Sequence, residues 1–207
     1  IGCYACTWHK VILKKHGRNK VYGFDIELEK GASKKYYKIG SAEKKLPYKA
    51  NEFDTIIAGE LIEHLKKPKV FAKESSRILK KGGVIVITTP NKASLINRIF
   101  HNNETPIHFS LFTWDELKKL FVSNGFEVVD YSAMSYDIES SEGSDNPWSF
   151  KVRGLSDYFL PKSLREELVV TFRKKWKQMT KLKASIVIPS YNAAKHLPTL
   201  IETLSSQ

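Results

Sequence analysis

Carboxylates and histidines at close spacing are the first feature of the sequence that could do chemistry. Glu60, Glu63 and His64 follow the apolar run 53–58 at helical spacing, and His108 lies further along the chain. Because a carboxylate and an imidazole can together take the proton of a hydroxyl nucleophile, we predict that Glu63, His64 and His108 are catalytic. The alternatives are first-turn carboxylates that stabilise a helix and a loop histidine bonded to the backbone. A metal held by Glu60, Glu63 and His64 is a further alternative, and we predict none.

Small and acidic residues near predicted strand ends form a second set of candidates. Ligands of open α/β sheets lie beyond the carboxyl ends of the strands. A glycine at the start of the chain would let the backbone approach a ligand, and the amides of the following helix would face it. Asp25 could accept both hydroxyls of a ribose, or it could simply cap the next turn. The ligand-binding candidates are Gly2, Cys3, Tyr4, Asp25, Ile26, Ser41, Ala42 and Gly59.

Strands and helices that alternate along the chain must position these residues. β-branched and aromatic runs predict strands at 22–25, 36–40, 53–58, 84–88, 126–131 and 168–172. One predicted helix begins near Pro68 and ends at Gly82 and Gly83. Another begins at the capping box of Thr113 and Glu116. The alternation predicts an α/β protein with a doubly wound, mostly parallel sheet.

The composition excludes several classes of protein. The charge is +12, from 34 basic and 22 acidic residues, but only six of the basic residues are arginine, so we predict no nucleic-acid binding. Apolar runs are too short to cross a bilayer, and we predict a cytoplasmic protein that could associate peripherally with an anionic membrane. Cys3 and Cys6 form a lone C-x-x-C, which is a weak signal for zinc or redox chemistry. The oligomeric state stays open.

The order of the motifs resembles the class I S-adenosylmethionine-dependent methyltransferases, particularly the branch with the ubiquinone-pathway O-methyltransferases. The resemblance covers residues 1–174 and implies a Rossmann-like fold with an antiparallel C-terminal strand, the family's first strand lying before Ile1. The motifs are Ile1-Gly2-Cys3, Val21 to Asp25, Gly40 to Glu43 before Leu46-Pro47, Phe53 to Ile57, Glu60 to Leu65, Glu74 to Gly83, Thr89-Pro90-Asn91, His108 and Gly125-Phe126.

The resemblance implies S-adenosylmethionine as the cofactor and gives each ligand-binding candidate a place. Tyr4 and Cys6 stand where the family usually has glycines, and Ser41 stands where aspartate is common. The implied roles are a loop around the methionine part for Gly2, Cys3 and Tyr4, the ribose ligand for Asp25, an adenine wall for Ile26, the adenine edge for Ser41 and Ala42, and a strand-end position for Gly59.

The C-terminal segment 184–207 resembles the start of family 2 glycosyltransferases, through Pro189, Tyr191 and Asn192. It would add an incomplete strand and helix of a GT-A-type domain after a basic linker at 175–183, too little to transfer a sugar. By association we predict that the methyl acceptor is a hydroxyl of a sugar or glycan intermediate in cell-envelope polysaccharide synthesis. The rival hypothesis is a non-catalytic methyltransferase-like scaffold for the glycosyltransferase.

Overall fold

The computed structural model describes residues 21–27, 35–99, 106–135 and 158–175. The expectations for Gly2, Cys3, Tyr4 and Cys6 lie outside these residues. So do almost all of the predicted linker and the whole glycosyltransferase-like segment 184–207. The division into domains therefore stays a prediction.

Two short strands form a small parallel sheet near the start of the described chain. Strand β1 is Gly23–Asp25 and strand β2 is Tyr37–Ile39, and Asp25 pairs with Ile39 at their carboxyl ends. Aromatic contacts tie this sheet to the rest of the protein. The ring of Tyr48 lies 4.8 Å from that of Phe53, edge to face, and its hydroxyl donates to the Gly23 carbonyl at 3.2 Å.

Four longer strands form the main sheet. They are β3 (Phe53–Gly59), β4 (Leu79–Pro90), β5 (Phe126–Met134) and β6 (Glu167–Lys174), in the spatial order β3-β4-β6-β5. β3 and β4 are parallel, whereas β6 runs antiparallel to both β4 and β5. The mixed sheet with an antiparallel C-terminal strand is confirmed. Every residue of β3 is buried, as the near-continuous β-branched run predicts.

Three α-helices accompany these strands in the described residues: α1 (Pro68–Ile78), α2 (Leu95–Ile99) and α3 (Trp114–Val122). Two short 3-10 helices, Ile62–His64 and Lys162–Leu164, complete the regular structure. The predicted capping box is present at α3: the Thr113 hydroxyl accepts from the Glu116 N–H, and the Glu116 carboxylate accepts from the Thr113 N–H. No helix in the described ranges is long and apolar enough to span a membrane.

The expectation that Gly82 and Gly83 end the first helix is wrong. α1 ends at Ile78, and the next residue already belongs to β4. Gly82 has a φ of +79°, and a Cβ on Gly83 would lie 2.7 Å from the carbonyl oxygen of Asp54. The glycines therefore lie inside β4, close to the point where its register with β3 shifts, and they permit an irregular turn of the strand and its close approach to β3.

An aromatic cluster fills the core between the main sheet and α3. The rings of Phe121 and Phe172 are stacked with centroids 4.7 Å apart, and Phe126 meets Phe121 edge to face at 5.4 Å. All three side chains are fully buried. Such pairs add about 0.5 to 1.5 kcal/mol beyond the area that they bury, so this cluster fixes α3 on the sheet.

Candidate active site

Glu60 begins the site at the carboxyl end of β3, directly after Gly59. It has a φ of 45°, a left-handed conformation that costs about 1 kcal/mol or more for a residue with a side chain. Hydrogen bonds with Thr88 hold it there. The Glu60 N–H donates to the Thr88 carbonyl at 3.0 Å, and the Thr88 hydroxyl donates to Glu60 Oε1 at 2.9 Å. The end of β4 therefore fixes the direction of this carboxyl group.

Glu63 lies one turn further on, in the 3-10 helix Ile62–His64, and is completely buried. Its Oε2 accepts a hydrogen bond from the Thr89 hydroxyl at 2.9 Å. Its Oε1 is buried too and has no hydrogen-bond partner. A buried carboxylate oxygen without a donor is costly, and this cost favours the protonated form of the Glu63 side chain.

A third carboxyl group comes from Glu167, the buried first residue of β6, which pairs with Pro90 at the end of β4. Burial, followed by the charge of Glu63, raises the pKa of Glu60 to about 8. Burial raises the pKa of Glu63 to about 7. Hydrogen bonds to this carboxyl group from its own main chain and from the Thr89 hydroxyl oppose the shift. At neutral pH, protons are therefore retained on Glu60 and, in part, on Glu63.

Two histidines face Glu63 from the open side. The Nδ1 of His64 lies 3.1 Å from the Ile107 carbonyl, which can only accept, so Nδ1 carries a proton and Nε2 of the neutral ring has a lone pair. That Nε2 is 3.7 Å from Glu63 Oε1. The His108 ring centroid is 5.0 Å from that of His64. The predicted catalytic residues are thus brought together, although their roles are not tested.

The loop that carries His108 is held to the 3-10 helix by main-chain hydrogen bonds. The N–H groups of Phe109 and Ser110 both donate to the Glu63 carbonyl, at 2.7 and 3.0 Å. The Ser110 hydroxyl donates to the Leu65 carbonyl at 2.7 Å. These bonds explain how two histidines 44 positions apart in the chain become neighbours.

The predicted cofactor residues lie at the carboxyl ends of β1 and β2. Asp25 Oδ1 accepts from the Ile26 N–H at 2.6 Å and the Glu27 N–H at 3.4 Å, so the carboxylate does cap the next turn, the alternative expected from the sequence. The Gly40 N–H donates to the Asp25 carbonyl at 2.7 Å, which brings the loops after both strands together. Ile26 is 72% exposed. An exposed apolar side chain therefore lies next to this carboxylate in the chain.

The remaining cofactor candidates are less open. The Ser41 hydroxyl accepts from the Glu43 N–H at 3.1 Å, and Ala42 is buried. Gly59 is also buried, at the end of β3. The cofactor role of each described candidate stays a prediction.

The sequence reasoning missed Glu167 and the two threonines that bind the carboxyl groups. Thr88 ends the predicted strand 84–88 and Thr89 directly follows it, and that position could have identified them. Glu167 has no such local signal, because it lies at the start of its strand. Only the antiparallel direction of β6 brings it to the same edge of the sheet.

Comparisons with known proteins agree with this architecture. A family model described as "Methyltransferase domain" matches residues 1–131. The rat mitochondrial ubiquinone biosynthesis O-methyltransferase is 29% identical over 124 residues, which are 55% of this chain and 35% of that protein. The chain therefore spans about a third of the length of this curated relative.

Solved structures share the fold at low sequence identity. In the complex of the Haloferax volcanii Trm112 methyltransferase activator with a methyltransferase, the match has a TM-score of 0.60 at 15% identity and covers 81% of this chain and 77% of the other. For phosphoethanolamine N-methyltransferase 2 of Haemonchus contortus, bound to S-adenosylhomocysteine, the TM-score is 0.55 at 15% identity, covering 81% and 46%. The family match, across more than half of the chain, shows that this protein belongs to the class I S-adenosylmethionine-dependent methyltransferase domains.

Proposed function

We propose that this protein transfers a methyl group from S-adenosylmethionine to a hydroxyl oxygen of a small-molecule acceptor. The observation that carries the proposal is the group of Glu63, His64 and His108 at the carboxyl edge of the main sheet. His64 Nε2 has a lone pair and is 34% exposed as a side chain, so it can reach a hydroxyl at the mouth of the site. A buried carboxyl group supports it from behind.

The reaction needs alignment and proton removal rather than a covalent intermediate. Bound S-adenosylmethionine supplies an electrophilic methyl group on its sulfonium. His64 Nε2 takes the proton of the acceptor hydroxyl as the new oxygen–carbon bond forms and the carbon–sulfur bond breaks. His108 positions the acceptor, and Asp25 holds the ribose of the cofactor. Ile26, whose apolar side chain is exposed, would cover one face of the adenine.

The relatives favour one class of acceptor over another. The rat protein is named for ubiquinone biosynthesis, and its name specifies O-methylation. We therefore propose that the methyl acceptor is an intermediate of ubiquinone biosynthesis rather than a sugar. The sugar or glycan acceptor depended on segment 184–207, which lies outside the described residues and beyond the family match. It stays a prediction without support here, as do the glycosyltransferase fragment and the membrane association.

The test is transfer of labelled methyl from S-adenosylmethionine to two acceptor panels, phenolic hydroxyls and sugar hydroxyls. We expect transfer to the phenolic panel. His64→Ala should lower the rate by about 10² to 10⁴ without a large change in cofactor affinity, whereas Lys69→Ala, exposed on α1, should not. A protein that binds no S-adenosylhomocysteine and methylates neither panel would support the scaffold hypothesis instead.

A further inference from the structure

An open cavity with a basic lining lies beside strand β2. Its volume is about 420 Å³, within the range of about 300 to 1,000 Å³ that small-molecule sites occupy. None of the residues that line it belongs to the predicted catalytic or cofactor-binding set. We infer that this cavity is a second binding site, and that its ligand carries a phosphate monoester next to an apolar group. This inference does not depend on methyl transfer.

The charge of the cavity comes from three lysines. Lys38 lies in β2, and Lys45 and Lys49 belong to the loop before β3. In the described ranges, the ion pairs of the protein involve other basic side chains. Three lysines around one cavity attract an anion with more than one charge. A phosphate ester carries about 1.5 to 2 negative charges at neutral pH and offers three acceptor oxygens, so it fits better than a carboxylate.

Glu52 also lines the cavity, but its carboxylate serves the local turn. Its Oε2 accepts the main-chain N–H of Lys49 at 2.6 Å, whereas the side chain of Lys49 is exposed. One carboxylate against three ammonium groups leaves the lining positive. A cleft lined mainly by one sign of charge raises the local concentration of ligands with the opposite sign.

Helix α1 holds the loop that forms one side of the cavity. The Leu46 N–H donates to Glu74 Oε2 at 2.8 Å. The Arg77 guanidinium donates to the Tyr48 carbonyl at 2.8 Å and to the Leu46 carbonyl at 2.9 Å. Arg77 and Glu74 also bond each other, at 2.6 Å. Because this loop is fixed by bonds to α1, a ligand would not have to order it on binding.

Lys38 is the lysine that the protein holds in place. Its Nζ donates to the Pro47 carbonyl at 2.7 Å and lies 4.6 Å from the centre of the Tyr48 ring. The hydrogen bond and the cation–π contact fix the ammonium group at the side of the cavity. An ammonium group has three N–H donors, so two remain for the oxygens of a ligand.

Apolar groups beside the lysines favour an organic phosphate over inorganic phosphate. Leu46, Pro47 and Tyr48 line the same cavity, and Pro47 is exposed. Inorganic phosphate would leave this surface in contact with water, whereas an aromatic or aliphatic group next to the phosphate would cover it. A free phosphate ester and a lipid headgroup share this chemistry.

Nuclear magnetic resonance on the 207-residue chain, without S-adenosylmethionine, measures binding and locates it. Phenyl phosphate is the probe. We expect saturable shifts of the Lys38, Lys49 and Glu52 N–H signals, with a dissociation constant of about 1 mM, which is usual for so small a ligand. Inorganic phosphate should bind more weakly, and benzyl alcohol, which lacks the charge, should leave these signals unchanged. Higher salt should weaken the binding of phenyl phosphate.

Replacing the lysines tests the assignment. Lys38→Met should weaken binding of phenyl phosphate by about 10-fold or more, because it removes a fixed ammonium group. Lys45 and Lys49 are exposed, so each should contribute only about 2- to 5-fold, and the double variant Lys45→Met/Lys49→Met about 4- to 25-fold. Lys119→Met is the matched control: it removes the same charge from an exposed position on α3 and should bind as the parent does.

Lys38→Met also removes two contacts within the protein, so circular dichroism checks its fold. If it does not fold, the double variant decides, because both of its lysines are exposed. A parent without saturable shifts at the three N–H groups would overturn the site. So would a folded Lys38→Met or double variant with the parent's affinity, or an equal loss in Lys119→Met.

Vesicles distinguish the two sources of the phosphate. They consist of phosphatidylcholine with and without phosphatidic acid, which carries a phosphate monoester. Binding of phenyl phosphate together with sedimentation on the phosphatidic acid vesicles, lost in the double variant, would identify a lipid headgroup. Binding of phenyl phosphate alone would identify a free phosphate ester.

Discussion

Replacement of Asp25 separates two tasks that its carboxylate is expected to perform at the end of β1. One oxygen accepts the N–H groups of Ile26 and Glu27 and closes the turn. The proposed second task is to accept a hydroxyl of the cofactor ribose. Asn retains an oxygen for the turn but loses the charge, whereas Ala loses both.

The expected magnitudes follow from these contacts. A hydrogen bond to a charged group contributes about 1.5 to 3 kcal/mol, so Asp25→Asn should raise the dissociation constant of S-adenosylhomocysteine roughly 10- to 150-fold. The free energy of unfolding of the Asp25→Asn variant should differ little from that of the parent. Asp25→Ala should lose the same affinity and, in addition, about 1 kcal/mol of stability, because the turn loses its acceptor.

Isothermal titration calorimetry with S-adenosylhomocysteine measures the affinity, and urea denaturation measures the stability. The exposed Asp130→Asn on β5 controls for a general effect of removing one negative charge from a basic protein. A folded Asp25→Asn protein with the parent's dissociation constant would refute the reasoning. In that case the carboxylate serves the turn alone.

Three further expectations concern stability. Arg77→Met should lower the free energy of unfolding by about 2 to 4 kcal/mol in urea denaturation, because the guanidinium bonds the Glu74 carboxylate and two main-chain carbonyls; a loss below 0.5 kcal/mol would contradict this. Gly83→Ala should destabilise by about 1 to 3 kcal/mol, since its Cβ would overlap a carbonyl oxygen at 2.7 Å, and an unchanged melting temperature would count against it. The free energy of unfolding should fall as the pH rises from about 4.5 to 8, by up to about 1.4 kcal/mol per pH unit for each carboxyl group, because the folded state raises the pKa values of Glu60 and Glu63 above 4.5; a flat profile in that window would show that both are ionised in the fold.

Local patterns in the sequence were sufficient to predict the secondary-structure elements that are buried along their whole length. β3 is apolar apart from Asp54 and Thr55, and both its faces are covered, so its near-continuous β-branched run predicts it. The capping box at Thr113 likewise depends on residues three positions apart. The start of β4 was misread because Leu79 continues the helical spacing of α1. Leu79 belongs to β4 because it pairs with Phe53 in β3, and no local pattern in the sequence shows that contact.

The candidate site was predictable only in part for the same reason. Glu63 and His64 are adjacent in sequence, and their nearness to a strand end suggested chemistry. His108 lies beside them because the main chain of its distant loop donates hydrogen bonds to the Glu63 carbonyl. Glu167 enters through the strand order β3-β4-β6-β5, which places a late strand beside an early one. The tertiary topology, rather than the residue type, brings His108 and Glu167 into the candidate site.

The position of β6 has a consequence for biosynthesis. It lies between β4 and β5, both of which leave the ribosome before it, and it pairs positions as far apart in sequence as Val84 and Arg173. At about 5 to 20 residues per second, some 40 residues separate the end of β5 from the end of β6 by roughly 2 to 8 seconds. During that interval the facing edges of β4 and β5 await their partner and resemble exposed sheet edges, which other nascent chains could pair with. The main sheet can therefore be completed only after β6 has been synthesised.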